Sequence, residues 1–193
     1  MQTDLTNEQI NEFNQLFNRA NERMEGIVIL GDYRPSSLGF FDKLKVKKSI
    51  KDYEKCLSIM PNHWQSMLLL AKVHQRLGEH STSLSLLENA LTIELTNHNI
   101  PQEASLECIH LDNIEKAIIY SEEAIKRKPN DIVLLGNHAM NLLIASRDKE
   151  SIETITHAIK LDPQDGFNLQ FQKVINEVIN GKRSRPTCKN AMK

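Results

Sequence analysis

Histidine and cysteine are the residues through which this chain could most directly bind a metal ion or act as a catalyst. The 193-residue sequence contains seven histidines and three cysteines. A structural zinc site needs closely paired ligands, and a cysteine nucleophile needs a base beside it. Here the cysteines are widely separated, and no H-E-x-x-H motif places two histidines on one helix face. We therefore predict no metal site and no catalytic histidine or cysteine.

Phosphate binding and acyl transfer have no support in the sequence either. The chain lacks the G-x-x-x-x-G-K-[ST], G-x-G-x-x-G and G-x-S-x-G motifs. Its 24 Lys and Arg residues are balanced by 25 Asp and Glu residues, so no overall charge attracts nucleic acid or an anionic membrane. We predict a protein that is not an enzyme, has no cofactor and is not primarily a nucleic-acid binder.

The cysteine spacing and the amino-terminal sequence bear on location. Three separated cysteines are typical of reduced thiols in a cytosolic protein. The first residues lack the basic region and apolar stretch of a signal peptide, and the longest early apolar run covers only residues 27–30. We predict a cytoplasmic protein without a membrane span.

A sequence repeat of 34 residues indicates the helices that would position any functional site. The phrases AIKRKPND and AIKLDPQD begin at Ala124 and Ala158, 34 residues apart, and further steps of 34 back from Ala124 reach Ala90 and Cys56. Small residues at these positions let paired helices approach closely. Pro61, Pro129 and Pro163 share the frame and stop the second helices of their units, whereas Leu95 occupies the proline position of the unit over 64–97. Apolar and small residues at helical spacing lead into the first phrase and include its first two residues: Ile114, Ala117, Ile118, Ser121, Ala124 and Ile125. The pattern predicts stacked helix pairs, each burying a stripe against its neighbours.

This pattern resembles the tetratricopeptide repeat, a unit of 34 residues folded as two antiparallel helices. The resemblance implies an all-α, right-handed helix-pair solenoid with repeats over 64–97, 98–131 and 132–165. The residues that carry it occupy the family's small, apolar and turn positions: Leu70, Ala71, Gly78, Ala90, Leu91, Ala117, Ala124, Ile125, Pro129, Ala139, Leu142, Ala158, Ile159 and Pro163.

The two ends depart from the repeat. Thr6 and Gln9 form a capping-box pattern that opens a helix over 7–25, which we expect to pair with a helix over 43–59. An irregular connection over 26–42 joins them within an atypical pair over 7–63. An amphipathic capping helix over 166–180 closes a single domain over 1–180, and the basic segment 181–193 is expected to be a flexible tail.

The resemblance also implies where a partner binds, because the first helix of each tetratricopeptide unit lines a concave groove. The groove residues it selects here are Gln65, Leu69, Lys72, Arg76, Gln102, Glu103, Leu106, His110, Asn137 and Met140. Only Asn137 matches the residues with which some members grip acidic chaperone peptides, so such a clamp is not favoured. The irregular connection adds a candidate loop with anchor-type residues, either a partner site or a plug of the groove: Tyr33, Arg34, Phe40 and Phe41.

We therefore expect a non-enzymatic scaffold that binds a peptide segment or partner helix of another protein. One alternative is a secretion-type chaperone, or a chaperone for an effector or toxin partner. Such chaperones have a similar organisation, with a leading helix, about three repeats and a closing helix. A second alternative is a regulator that contacts nucleic acid or an acidic partner through the basic tail. A homodimer is compatible with each.

Overall fold

The computed structural model describes residues 5–28 and 38–191, and in these ranges it contains helices and no strand. The predicted all-α class is confirmed. The helices are α1 (Asn7–Met24), α2 (Phe40–Ile59), α3 (Trp64–Leu77), α4 (His80–Ile93), α5 (Asn99–His110), α6 (Ile114–Arg127), α7 (Ile132–Ile144), α8 (Asp148–Leu161), α9 (Gly166–Ile179) and α10 (Cys188–Ala191).

The chain forms two compact units, with unit 1 ending at Leu95 and unit 2 beginning at Thr96. The division falls two residues before the end of the repeat predicted over 64–97. Helix-pair arrays are held together by nearest-neighbour contacts, so they can divide at such a boundary. The single domain predicted over 1–180 therefore stays a prediction.

Unit 1 begins with the predicted pairing of an amino-terminal helix with the helix after the irregular segment. The Thr6 hydroxyl accepts a hydrogen bond from the Gln9 N–H (3.2 Å), and the Gln9 side chain accepts one from the Thr6 N–H (2.9 Å), so the capping box is present. The first helix then packs along α2. Our prediction placed the start of α2 at residue 43, whereas the helix begins at Phe40 and therefore includes two residues assigned to the candidate loop.

An ion-pair cluster and an apolar core around Tyr53 hold α1 against α2. The Arg19 guanidinium donates to both carboxylate oxygens of Asp52, at 2.7 and 2.9 Å, and Arg23 forms a second ion pair with the same carboxylate. These bonds lower the pKa of Asp52, chiefly through the hydrogen bond from Arg19. The next residue, Tyr53, is fully buried in a core shared with α3: Ala20, Met24, Val46, Tyr53, Leu70 and Val73.

Unit 2 contains two helix pairs, α5 with α6 and α7 with α8, and α9 packs on α7 and α8. The alanines of the repeated phrases, Ala124 and Ala158, are completely buried. They sit where paired helices are in close contact, which explains why both positions hold a small residue. The closing helix contributes Ile175 and Val178 to a core with α7 and α8, so its role as a cap follows from its apolar face.

One contact between α7 and α9 leads to a stability prediction. Gly136 is buried, and a Cβ added there would clash with the amide of Asn168, which is 2% exposed and donates to Ile132 O at 3.1 Å. We expect Gly136→Ala to lower the free energy of unfolding by about 1–3 kcal/mol through overpacking, although alanine is normally the better helix former. Urea unfolding followed by circular dichroism measures the change.

The matched control is Gly166→Ala at the start of α9, where an added Cβ would meet nothing within 4 Å. This variant should be neutral or slightly more stable than the parent chain. Equal effects at the two glycines would contradict the assigned cause, which is the crowding of Asn168.

The carboxyl-terminal segment differs from the flexible tail that the sequence suggested. Residues 182–191 follow α9, and within them the Arg185 guanidinium donates to Leu143 O and to Asp148. Cys188 is buried, and α10 packs against α5. A basic composition predicted a solvated end, but the acidic partners that hold it are distant in sequence. We call residues 182–191 the strap.

No helix in the two described ranges is long and apolar enough to cross a membrane.

Candidate functional site

A hollow of about 130 Å³ opens on unit 2, between α5, α7 and α9 and beside the strap. Its apolar walls are Leu106, Ile109, Met140, Ile144 and Phe171, and Ala191 of the strap borders it. Its polar side chains are Gln102, Ser105, Asn137 and Asn141. The combination of apolar walls with a few amide and hydroxyl groups is typical of sites that bind a ligand and fix its orientation.

The structure brings together four of the ten predicted groove residues at this hollow: Gln102, Leu106, Asn137 and Met140. Two others on α5 do not line it, since Glu103 is completely buried and His110 is the last residue of the helix. The remaining four lie on α3 of unit 1: Gln65, Leu69, Lys72 and Arg76. The groove as a continuous set therefore stays a prediction.

The α3 residues have their own surroundings. Lys72 is only 3% exposed, and its ammonium donates to Gln75 Oε1 at 2.5 Å, so most of the side chain is not available to a partner. Leu69 packs against the Tyr53 core and borders a recess of about 470 Å³ beside α1. Gln65 and Arg76 are half-buried.

Gln102 has an unsatisfied group beside the hollow. Its side chain is 5% exposed, and Oε1 is buried with no hydrogen-bond donor among the described residues. A buried acceptor without a donor costs about 1–3 kcal/mol. A ligand N–H that entered the hollow would supply that donor once the amide turned towards it.

A buried polar network borders the hollow, and no local pattern in the sequence predicts it. The Asn141 amide donates to Ser105 Oγ (3.0 Å) and to Ser121 Oγ (3.2 Å), while the Ser105 hydroxyl donates to Ala117 O (2.8 Å). Ser121 Oγ also lies 2.7 Å from His138 Nδ1. These residues come from α5, α6 and α7, so the network joins the first helix pair of unit 2 to the next.

The network includes a serine hydrogen-bonded to a histidine, a pairing also found in catalytic sites. Here Ser121 is completely buried and His138 is 8% exposed, so a substrate has no path to the hydroxyl. Burial lowers the pKa of His138 to about 4. These contacts and its burial place this histidine in the core of unit 2.

The cysteines are all buried thiols without a disulfide: Cys56, Cys108 and Cys188. Burial raises the pKa of Cys56 to about 11 and raises that of Cys188, and a buried thiol of raised pKa is a poor nucleophile. Across residues 5–28 and 38–191, no group of three or more His, Cys, Asp or Glu side chains could hold a metal ion.

Two of the four candidate loop residues belong to the described residues. Tyr33 and Arg34 lie outside the described residues. Phe40 and Phe41 lie in the first turn of α2, where they are 72% and 77% exposed and their rings meet edge to face, with centroids 5.7 Å apart. Their role as partner contacts stays a prediction.

Comparison with known proteins finds one repeat in the chain. The model of the tetratricopeptide repeat matches residues 103–131, which include most of α5 and all of α6. These residues therefore form a tetratricopeptide repeat. The matched segment contains Glu103 and Leu106 and ends at Asp131, the N-cap of α7. No curated protein matches the sequence significantly.

Solved structures of tetratricopeptide proteins have a similar fold. A MamA protein is 14% identical, with 89% of this chain and 84% of that chain covered and a TM-score of 0.73. A tetratricopeptide repeat protein from Parabacteroides merdae is 13% identical, with 89% and 61% covered and a TM-score of 0.72. YrrB, a TPR protein with an unusual peptide-binding site, is 14% identical, with 75% and 74% covered and a TM-score of 0.64. At these identities the similarity shows the fold alone.

Tetratricopeptide repeats are in general non-catalytic modules that bind other proteins.

Proposed function

We propose that this protein binds an extended peptide segment of a protein partner at the hollow of unit 2. The hollow itself is the observation that carries the proposal. It is formed by the first helices of two consecutive pairs, which are the helices predicted to line the groove, and it contains four of the predicted residues.

The size and lining of the hollow fit one apolar side chain of such a peptide. An engineered apolar cavity of roughly 150 Å³ accepts a benzene ring, so a volume near 130 Å³ suits a side chain of leucine or aromatic size. Leu106 and Met140 supply apolar contact on opposite helices. Burial of an apolar side chain of that size contributes about 1.5–3 kcal/mol, enough to anchor one point of a peptide.

The amides beside these walls fit the backbone of the same peptide. Asn137 offers both a donor and an acceptor, and Gln102 Oε1 is the buried acceptor that needs a donor. An extended peptide presents backbone N–H and C=O groups along its length, so it can satisfy both amides while its side chain enters the hollow. That YrrB, which has a similar fold, has a peptide-binding site supports peptide as the ligand class.

The test is selection of random peptides displayed on phage against the full-length protein, followed by affinity measurement with one synthetic selected peptide. We expect Leu106→Glu to weaken binding by about tenfold or more, because the carboxylate would lose its hydration when the peptide covers it. Fluorescence anisotropy gives the dissociation constant, and circular dichroism shows that the variant is folded.

Ile119→Glu is the matched control, because it also replaces an apolar side chain by glutamate. Ile119 lies on α6, is 60% exposed and does not line the hollow. It should leave the affinity unchanged. Asn137→Ala is a milder second variant should Leu106→Glu unfold the protein. Selected peptides that bind equally well to all these variants would refute the hollow as the site.

A further inference from the structure

The strap lies across the carboxyl ends of α5 and α7, two of the three helices that line the hollow. Arg185 Nη1 donates to Leu143 O, in the last turn of α7, at 2.6 Å. The same guanidinium binds both oxygens of Asp148 at the start of α8, at 2.6 and 2.9 Å. A planar guanidinium suits this pair of acceptors, because it can bind a carboxylate through two parallel hydrogen bonds.

The rest of the strap continues from this point to α5. Lys189 Nζ lies 3.5 Å from the carboxylate of Asp112, in the turn after α5. Between the two basic residues, Cys188 is 6% exposed, and beyond them Ala191 reaches the wall of the hollow. The strap is therefore a short basic segment with one small buried side chain, and it forms ion pairs with three acidic residues of the body: Asp112, Asp148 and, through Arg183, Glu177.

Another peptide segment could form the ion pairs that Arg185 and Lys189 make with Asp148 and Asp112. The side chains of Arg185 and Asp148 are 30% and 37% exposed, and those of Lys189 and Asp112 are 81% and 54% exposed. Ion pairs with this exposure are weak because water and salt screen them. The acceptors, Leu143 O and two carboxylates, would bind the guanidinium or ammonium of any chain that crossed them in the same way.

We propose that the strap occupies part of the partner's site, and that the partner segment carries an arginine which replaces Arg185 at Asp148 and Leu143 O. This inference rests on the proposed function of the hollow. The partner is thus a basic peptide that places an apolar side chain in the hollow and its arginine between α7 and α8. The strap competes with it from within the same molecule.

The experiment uses a fluorescent peptide with the strap's own sequence, KRSRPTCKNA, and the full-length protein under reducing conditions. Arg185→Ala in the protein should loosen the strap and strengthen peptide binding by about tenfold, since an occupied site lowers apparent affinity by the fraction that is free. Arg183→Ala is the matched control in the same segment, because its partner is Glu177 at 3.5 Å rather than Asp148. It should bind the peptide as weakly as the parent protein.

Two further measurements identify the acceptor. Adding Asp148→Asn to Arg185→Ala should abolish the gain, and a peptide with alanine at the position of Arg185 should fail to bind. Binding should also weaken as salt is raised. If Arg185→Ala bound the peptide no better than Arg183→Ala, or if the alanine peptide bound equally well, the inference would be wrong.

The outcomes separate this inference from the proposed function. Phage-selected peptides that depend on Leu106 but are indifferent to Arg185 and Asp148 would support the hollow and overturn the strap as a competitor. A strap peptide that binds through Asp148, in a protein whose Leu106→Glu variant keeps its affinity for every selected peptide, would support the arginine site and overturn the hollow.

Discussion

Tyr53→Ala is expected to lower the free energy of unfolding of unit 1 by about 3–5 kcal/mol, the range typical of removing a large buried aromatic side chain. Tyr53 is completely buried in the core formed by α1, α2 and α3, and its ring meets Phe17 edge to face with centroids 6.2 Å apart. Its hydroxyl donates to Asn21 Oδ1 at 2.6 Å. The alanine variant loses the apolar contacts and leaves a cavity between three helices.

Trp64 is the single tryptophan of the chain and lies at the start of α3, so its fluorescence during urea unfolding reports on unit 1. Tyr53→Phe is the control, because it keeps the ring and removes only the hydroxyl bond, at an expected cost of about 1 kcal/mol. If the two variants were equally destabilised, packing of the ring would not be the main contribution of this residue.

Mild acid is expected to destabilise unit 2 through His138. Burial lowers the pKa of this histidine from 6.5 to about 4. The unfolded chain therefore binds more protons than the folded chain between these two values, so stability falls as the pH decreases from 6.5 towards 4. By about pH 4.5 this single group should reduce the free energy of unfolding by about 2–3 kcal/mol.

The measurement is urea unfolding by circular dichroism at several values between about pH 7.5 and pH 4.5. His138→Leu is the informative variant, because it removes the titrating ring and leaves an apolar side chain at a buried position, and it should show a clearly smaller loss of stability with acid. His157→Gln is the control at an exposed histidine on α8 and should keep the full loss. The same pH dependence in His138→Leu and the parent chain would rule out His138 as the cause.

The pH dependence must be compared between variants, because other groups of the chain also contribute to the loss of stability in acid. Burial also lowers the pKa values of His63 and His98. The carboxyls of Asp52 and Asp148 have lowered pKa values through their arginine partners, so their contribution is lost at still lower pH. All of these are common to the parent chain and the variants, and they cancel in the difference.

The helix pairs follow from local features of the sequence. Helical spacing of apolar residues and the Thr6 capping box are signals within one or two turns of chain, and the small residues Ala124 and Ala158 recur at a fixed distance. Each signal acts on its own helix, so the presence of helices and the capping box that opens α1 could be predicted without knowing what packs on them. The start of α2 was less accurate because it follows a segment rich in glycine and proline.

The side-chain surroundings at the site could not be predicted in the same way. Glu103 and Leu106 are both on α5, and both were predicted to face the groove, yet Glu103 is completely buried and only Leu106 lines the hollow. Which side of a helix is exposed depends on the helices packed against it. Likewise, Ser105 and Asn141 meet across 36 residues of sequence, a distance at which a single sequence has no local signal.

Periodicity, capping and proline stops depend only on near neighbours along the chain, so the sequence alone predicts an all-α protein of paired helices. The hollow between α5, α7 and α9 and the low pKa of His138 arise only from packing. It also decided the place of the strap, since Arg185 is 42 residues from Leu143 and 37 from Asp148. Packing alone brings such distant groups together, and it sets the desolvation and charge that each of them experiences.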